Sequence, residues 1–298
     1  MKLLYISDLH LRPTSPLNRK DDYVETQWGK LRFIIDYANE HEATMIIGGD
    51  LFDRAANHPS WFLNKVMSCF LNLNQPVHII PGNHDLLGHN LQTVESNSIK
   101  LFSYLHKNCY LYDSNGYAFL EGSAIRFNPF GLPPDIENLN EEYNNILVLH
   151  EPVFEDTVPF YMSEALTVDE LEYKYPGFDL YLAGDIHIPC QKSKTLVSGS
   201  MMRMTTAQKT HKPRFYMIDT ETLAVETVFI PIDENVWRDV TETPTDEGFK
   251  AELQDLTEAL LARDEQMEYA SVCRKMSGDH WPVFDRLINE YETKKESV

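Results

Sequence analysis

Cysteine is scarce in this sequence, which has 4 among 298 residues and no CxxC pair. The cysteines lie far apart, at Cys69, Cys109, Cys190 and Cys273. Disulfide frameworks and thiolate zinc sites need numerous or closely spaced cysteines, so neither is indicated. We therefore expect a protein of a reducing, intracellular compartment.

Long hydrophobic runs are also missing. No segment of the sequence approaches the roughly 18 consecutive apolar residues that suggest a transmembrane helix. Only four apolar residues separate Lys2 from Ser7, too few for the core of a signal peptide. These absences predict a cytoplasmic protein that does not interact with a membrane.

Positive charge is in short supply. The 26 Lys and Arg residues face 46 Asp and Glu, a net charge of -20, and residues 231–298 alone hold 17 acidic against 8 basic residues. This balance excludes a broadly basic nucleic-acid-binding surface. It does not exclude DNA, because bound divalent cations reverse the local field and a partner protein could supply a positive surface.

Five short apolar runs are the main feature of what is present, and each ends in polar residues that can bind a metal ion. The runs and their following residues are 3–6 with Ser7-Asp8-Leu9-His10, 44–47 with Gly48-Gly49-Asp50, 77–81 with Gly82-Asn83-His84-Asp85, 146–149 with His150, and 180–183 with Gly184-Asp185-Ile186-His187. Such runs are typical of buried parallel strands, and open α/β sheets collect their sites at the carboxyl ends of the strands. The pattern predicts a metal site.

The segments between these runs predict an α/β fold. Apolar residues at helical spacing in 31–38 and 62–73 give a β-α-β-α-β order up to residue 80, which requires parallel strands with right-handed crossovers. After a weaker helix at 98–105, three short runs bounded by turn residues predict a change to antiparallel pairing. Further elements are predicted as a helix at 168–173 and strands at 180–183, 195–198, 214–219 and 224–230.

Two amphipathic helices are predicted at the end of the chain. Thr243-Pro244 resembles a helix start, and the apolar residues of 249–260 and 284–291 recur at helical spacing. We therefore divide the chain into a catalytic domain, 1–232, and a helical C-terminal segment, 233–298. This segment either packs on the core or docks onto a partner.

Taken singly, each polar strand end has a plain alternative. Asp8 and His10 fit a turn with a surface histidine, and a histidine such as His150 is often buried with a hydrogen-bond partner. Asp50 has two carboxylate oxygens and could lie between two ions, while Asn83 offers a neutral oxygen. Five such ends in one order favour a site for two metal ions.

In their order from Asp8 to His187, these motifs resemble the calcineurin-like metallophosphoesterases. Within that family the sequence is most similar to the SbcD-type DNA repair nucleases, on three stretches: Gly48-Gly49-Asp50-Leu51-Phe52-Asp53, residues 146–150 and Ser198-Gly199-Ser200. The resemblance covers about residues 1–220. It implies a four-layer αββα sandwich with a small helical appendage, two ions that are usually manganese, and a partner ATPase of the SbcC, SMC-like type.

The resemblance also implies a role for each site residue. The first ion would be held by Asp8, His10, Asp50 and His187, and the second by Asp50, Asn83, His150 and Asp185. His84 would face the substrate, where it stabilises the transition state or protonates the leaving oxygen, and Asp85 would fix its ring. Asp185 departs from the family, which has histidine there.

Mixed oxygen and imidazole ligands suit manganese, iron or zinc better than calcium, and magnesium is also acceptable. Two such ions support phosphodiester hydrolysis by a metal-bound hydroxide. The leading interpretation is a DNA nuclease, exonuclease or endonuclease, of DNA repair or recombination, and a homodimer is compatible with it. The alternatives are a small-molecule or nucleotide phosphoesterase and a weakly active regulatory subunit of an SMC-like ATPase.

Basic residues near the motif loops are candidates for phosphate contacts, although solvated surface is the plainer interpretation of each. They are Arg12, Arg19, Lys20, Lys192, Lys194, Arg203, Lys209 and Lys212.

Overall fold

The structure is a computed structural model that describes residues 1–137, 139–160 and 162–238. The helices in these ranges are α1 Tyr23–Glu40, α2 Ser60–Phe70, α3 Ser98–Leu105 and α4 Val168–Lys174. The strands are β1 Lys2–Ile6, β2 Thr44–Ile47, β3 Val77–Ile79, β4 Cys109–Leu111, β5 Gly116–Leu120, β6 Ser123–Asn128, β7 Asn144–His150, β8 Val153–Phe154, β9 Leu166–Thr167, β10 Leu180–Gly184, β11 Cys190–Lys192, β12 Thr195–Val197, β13 Arg214–Asp219 and β14 Val225–Phe229. The helices predicted at 249–260 and 284–291 lie outside the described residues.

Two six-stranded sheets form the centre of the fold. The first has the order β14-β13-β1-β2-β3-β4, and β1 to β4 run parallel. The second has the order β11-β12-β10-β7-β6-β5, with β6, β7, β10 and β12 parallel. The remaining strands pair antiparallel at the margins of the two sheets, while β8 and β9 form a small sheet of their own.

The core consists of three hydrophobic layers. One layer lies between the sheets, where Tyr5 and Ile46 of the first sheet share a cluster with Val148 of the second. The opposite face of the first sheet packs against α1, α2 and α3, and that of the second sheet against α4. The order helix, sheet, sheet, helix confirms the predicted αββα sandwich.

Local sequence fixes where the helices begin. The Asp22 side chain accepts a hydrogen bond from the Glu25 amide at the start of α1, which satisfies a backbone donor that the helix leaves unpaired. Thr167 and Glu170 bond reciprocally at the start of α4 in a capping box. These caps set the points at which each crossover helix turns back along its sheet.

The predicted change to antiparallel pairing is correct for β5 and β6 but wrong for β4. β4 pairs parallel with β3 because the chain returns through α3, as in the preceding crossovers. The turn at Asn115 and Gly116 then leads into the second sheet. Among the described residues, no helix combines the length and hydropathy that a transmembrane segment requires.

Candidate metal centre

The carboxyl ends of the central strands bring the predicted ligands to one place. In the first sheet Ile6 pairs with Ile47, and Ile47 with Ile79, so the loops after β1, β2 and β3 leave from the same edge. In the second sheet Gly184 pairs with His150 at the ends of β10 and β7. The two edges meet because the sheets are stacked on each other.

One set of ligand atoms surrounds the His10 imidazole. His10 Nε2 lies 2.9 Å from His187 Nε2, 3.5 Å from Asp50 Oδ2 and 3.8 Å from Asp8 Oδ1. His187 Nε2 is 4.0 Å from the same Asp8 oxygen. Asp8, His10 and Asp50 are almost fully buried, so little water competes for these atoms. The four side chains predicted for the first ion are therefore together.

A second set surrounds His150. Its Nε2 lies 3.1 Å from Asn83 Oδ1, 3.5 Å from Asp50 Oδ2 and 3.8 Å from Asp185 Oδ1. Its Nδ1 donates a hydrogen bond of 2.7 Å to the Gly48 carbonyl. That bond sets the tautomer in which Nε2 carries a lone pair for a cation. Asp50 Oδ2 faces both His10 and His150 and so joins the two sets.

These distances and atom types fit two divalent ions. Ligand atoms held at about 2.0–2.2 Å from one cation lie roughly 3 Å from each other, and the distances within the two sets run from 2.9 to 4.0 Å. Two groups, Asp8 with His10 and His187 and Asp50 with Asp8 and His150, have ligand atoms within 4.8 Å of one another and could each hold a metal ion. The structure therefore brings the candidate ligands predicted from the strand ends together in two sets.

Burial sets the ionisation of the ligands. Desolvation raises the pKa of the Asp8 carboxyl, with repulsion from Asp50 and Asp185 adding to it. Desolvation also holds the pKa of His10 well below its ordinary value, so that the imidazole is neutral. Burial opposes charge on His150 as well, but the Asp50 and Asp8 carboxylates raise its pKa above the ordinary value. Divalent cations would relieve this concentration of buried carboxylates.

Four candidate ligands have left-handed backbone conformations. The φ angles are 55° at Asp8, 44° at His10, 52° at Asp50 and 84° at Asp185. Non-glycine residues adopt this region at a cost and concentrate there at functional sites. Hydrogen bonds hold the conformations, as in the donation from the Asp185 amide to the Asp8 carboxylate at 3.2 Å. Each side chain thus turns into the centre rather than along its strand.

Glycines provide the space that the ligands occupy. A Cβ atom on Gly82 would collide with the Asp50 carboxylate, and one on Gly49 or Gly184 would collide with the His150 ring. Gly49 also has a φ of 98°, which L-residues with side chains rarely adopt. The glycines of these motifs are therefore required by the packing of the site and not only by the turns.

His84 lies next to the ligands but is exposed. Its amide donates to Asp50 Oδ1, its Nδ1 donates to the Asp53 carbonyl at 2.9 Å, and its ring centre is 4.8 Å from that of His10. The backbone bond occupies Nδ1 and leaves Nε2 for another partner. His84 also forms a possible metal group with His10 and Asp50, so proximity alone does not separate a ligand from a substrate-facing residue.

Asp85 does not have its predicted role. Its buried carboxylate accepts hydrogen bonds from the amides of Leu51, Phe52 and Gly82 at 2.9–3.2 Å, and the His84 ring is fixed by the Asp53 carbonyl instead. Asp85 therefore braces the loop after β2 against the loop after β3. This position is inside the loops, where it shapes the centre without facing it.

Several basic residues that were candidates for phosphate contacts interact within the chain. Arg19 forms two hydrogen bonds of 2.7 Å with Asp21, and buried Arg203 pairs with Glu234 at 2.8 Å. Lys192 pairs with Asp156 and Asp169. Arg12 lies 3.5 Å from Asp53, Lys194 donates to a backbone carbonyl, and Lys20, Lys209 and Lys212 are exposed.

Two residues at the rim of the centre were missed by the sequence analysis. The ring centre of His89 lies 6.3 Å from that of His84, and the Phe130 ring lies 6.3 Å from both His89 and His150. His89 stands five residues after His84 in an irregular segment, where no periodicity indicates its direction. Phe130 follows β6 after a proline and carries no motif.

Known proteins show the family of this chain. Residues 1–189 match the family described as calcineurin-like phosphoesterase, whereas no curated protein matches. Among solved structures, an archaeal phosphodiesterase is similar at 14% identity, over 77% of this chain and 99% of that chain, with a TM-score of 0.41. A 5'-nucleotidase precursor from Thermus thermophilus is similar at 12% identity, over 89% of this chain and 60% of that chain, with a TM-score of 0.40. Because the family match extends over more than half of the chain, the protein belongs to the calcineurin-like phosphoesterases.

Proposed function

We propose that this protein hydrolyses phosphodiester bonds of DNA and uses two divalent cations to do so. The observation that carries the proposal is the Asp50 carboxylate, whose Oδ2 lies 3.5 Å from both His10 Nε2 and His150 Nε2. A carboxylate shared in this way is the arrangement expected of a two-ion centre. When bound, the ions would supply a nucleophile at neutral pH and neutralise charge on the attacking and leaving oxygens.

The candidate ligands fall into one set for each ion. Asp8, His10 and His187 would hold the first ion and Asn83, His150 and Asp185 the second, with Asp50 common to both. Because the two sets come from different loops of both sheets, the distance between the ions would be fixed by the packing of the sandwich. Asp185 makes the second set richer in oxygen, which favours manganese or magnesium over zinc.

We assign His84 a role in protonating the substrate. Desolvation opposes charge on its ring, but the Asp50 carboxylate and the Asp53 carbonyl raise its pKa. A protonated imidazole whose Nδ1 is held by the backbone can donate its Nε2 proton to the leaving oxygen of the phosphodiester. The exposure of the ring is consistent with that role.

DNA is proposed as the substrate because of the motif resemblance to SbcD-type nucleases over residues 48–53, 146–150 and 198–200. The second candidate is a small phosphoester such as a nucleotide. It is favoured by the net charge of -20 and by the internal partners of Arg19, Arg203 and Lys192. Both candidates require the same centre and differ in the surface around it.

An assay of the purified chain separates these candidates. Labelled single- and double-stranded DNA, a mononucleotide and a chromogenic phosphodiester are each incubated with manganese, magnesium or chelator. We expect manganese-dependent cleavage of DNA that Asp50→Asn abolishes. Cleavage of the small substrates with DNA left intact would support the second candidate, and no hydrolysis of any substrate would contradict both.

We further propose that an SMC-like ATPase of the SbcC type is the partner of this chain. The proposal rests on the resemblance and on the amphipathic patterns at 249–260 and 284–291, because an amphipathic helix can lay its apolar face in a groove. Deleting residues 240–298 should leave cleavage of short DNA largely unchanged and abolish ATP-dependent cleavage with the partner. Unfolding of the shortened chain would show that the segment serves packing instead.

A further inference from the structure

His89 and Phe130 form a wall on the side of the centre that faces the second ion set. The Phe130 ring stands edge-on to His89 at an interplanar angle of 89° and to His150 at 74°, with both centre distances at 6.3 Å. His84 lies 6.3 Å from His89 on the other side. The exposed His89 imidazole therefore lies at the rim of the centre, beside the rings of Phe130 and His84.

The backbone holds His89 in a defined position. Gly88 and His89 both have left-handed conformations, with φ angles of 60° and 54°. The His89 amide donates to the Leu86 carbonyl, and the Thr93 hydroxyl donates to the carbonyls of Leu87 and Asn90. A non-glycine residue adopts this region at a cost and stays there only where surrounding bonds hold it. The loop thus holds the His89 ring 6.3 Å from that of His84.

Phe130 is likewise anchored. Its amide donates to the Pro81 carbonyl, directly before the Gly82-Asn83-His84-Asp85 motif, and its ring packs against the core beneath the helices. This hydrogen bond ties Phe130 to the strand end that carries Asn83.

We infer that His89 is a substrate-binding residue that donates a hydrogen bond to a phosphate oxygen of a nucleotide substrate on the second-ion side. This inference rests on the proposed function, because that function puts a phosphate at the centre. An imidazole that binds a phosphate oxygen in this way interacts about equally with the bound substrate and with the transition state. Its loss should therefore raise KM and leave kcat nearly unchanged, in contrast to the loss of His84.

The test measures binding without turnover. In a His84→Ala background loaded with manganese, the affinity for thymidine 5'-monophosphate is measured by calorimetry with and without His89→Ala. We expect affinity to fall about tenfold, as for the loss of one hydrogen bond to a charged group. His89→Gln, which retains a donor, should recover part of the affinity. His41→Ala is the matched control, since His41 is an exposed histidine at the end of α1.

The two proposals fail in different ways. Unchanged nucleotide affinity and unchanged KM in His89→Ala, in an enzyme that hydrolyses phosphodiesters, would overturn the inference alone. Weaker affinity in His89→Ala in a chain that hydrolyses none of the substrates would support the inference and remove the proposed function. A loss of manganese from His89→Ala would show that the residue supports metal binding and would also overturn the inference.

Discussion

At the scale of residues, hydrogen bonds to the backbone hold three of the candidate ligands in place. His150 uses Nδ1 on the Gly48 carbonyl, Asp50 uses Oδ1 on the His84 amide, and the Asp8 carboxylate accepts from the Asp185 amide. Such outer bonds orient metal ligands, and their loss typically costs about 10- to 100-fold in metal affinity or activity. The orientation of the site is thus built into its backbone contacts.

His84→Ala should reduce kcat by about 10²- to 10³-fold and leave both ions bound, because the ring donates a proton or stabilises charge without holding the metal. Turnover of a chromogenic phosphodiester and metal content after dialysis are measured on the same sample. The control variant is His41→Ala, whose turnover and metal content should equal those of the unchanged chain. Loss of an ion from His84→Ala would instead assign His84 to the group that it forms with His10 and Asp50.

Asp185→Ala should weaken the second ion by at least about tenfold and reduce turnover sharply, because Asp185 Oδ1 is one of the three atoms around His150 Nε2. Asp185→His should keep part of the activity, since imidazole is the family's ligand and histidine is among the residues that tolerate a positive φ. Manganese titration of the two variants is the measurement. Equal second-site affinity in Asp185→Ala and the unchanged chain would mean that Asp185 only braces its turn.

The meeting of the candidate ligands at one place was predictable from the sequence, but their supporting bonds were not. Asp8, Asp50 and His150 stand within three residues of the end of an apolar run, and parallel strands of one sheet must end at a common edge. The role of Asp85 was predicted incorrectly because its partners are three backbone amides from two loops, and no pattern of side chains encodes where those amides point. The left-handed backbone conformations of the candidate ligands could not be predicted for the same reason.

At the scale of elements, the loops after β2 and β3 interlock. Gly82 has no room for a side chain, since its Cβ would collide with the carboxylate and amide of Asp50. The crossing of these loops is what allows a single carboxylate to reach both ligand sets. The spacing between the sets is therefore a property of the loop packing as much as of the ligands.

Gly82→Ala should displace Asp50 and reduce manganese affinity and turnover together, with a loss of roughly 1–3 kcal/mol in unfolding free energy from overpacking. Gly29→Ala is the matched control because Gly29 is an exposed position of α1 with nothing within 4 Å of an added Cβ. It should stabilise the helix by about 0.5–1 kcal/mol and leave activity unchanged. Full metal binding by Gly82→Ala would contradict the close packing described here.

Most of the regular elements were predictable from hydrophobic pattern. α1, α2 and the five strands that carry the candidate ligands are long or strongly apolar, so their periods are clear. The pairing of β4 was not predictable. An edge strand of three residues does not show whether the chain reaches it by a hairpin or through α3. The two-residue strands β8 and β9 have no sequence period at all.

At the scale of the whole molecule, the centre gathers negative charge inside a chain that already carries a net charge of -20. Asp8, Asp50 and Asp85 are all buried within the loops of this one site. Without cations the carboxylates repel one another in a region of low polarity. Divalent ions are therefore expected to stabilise the folded chain as well as to activate it.

Adding manganese to the chelated protein should raise Tm by about 5–10 °C at 100 times the dissociation constant. Binding then contributes about 2.7 kcal/mol, and a domain of this size shifts by about 2–4 °C per kcal/mol. Calorimetric scans of the unchanged chain and of Asp50→Asn at matched manganese give the comparison. An equal rise in both would mean that the ion acts elsewhere on the molecule.

The distribution of the ligands along the chain has a consequence for how the enzyme is made. β1 lies in the middle of the first sheet between β2 and β13, and the amide of Met201 donates to the Asp8 carbonyl. A growing chain can pair β1 with β2 early. The surroundings of Asp8 are complete only after His187 and the loop at Met201 have been synthesised and have folded against it. Such contacts between distant parts of a chain form slowly. We therefore expect the complete set of ligands, and with it tight binding of an ion, to form only late in folding.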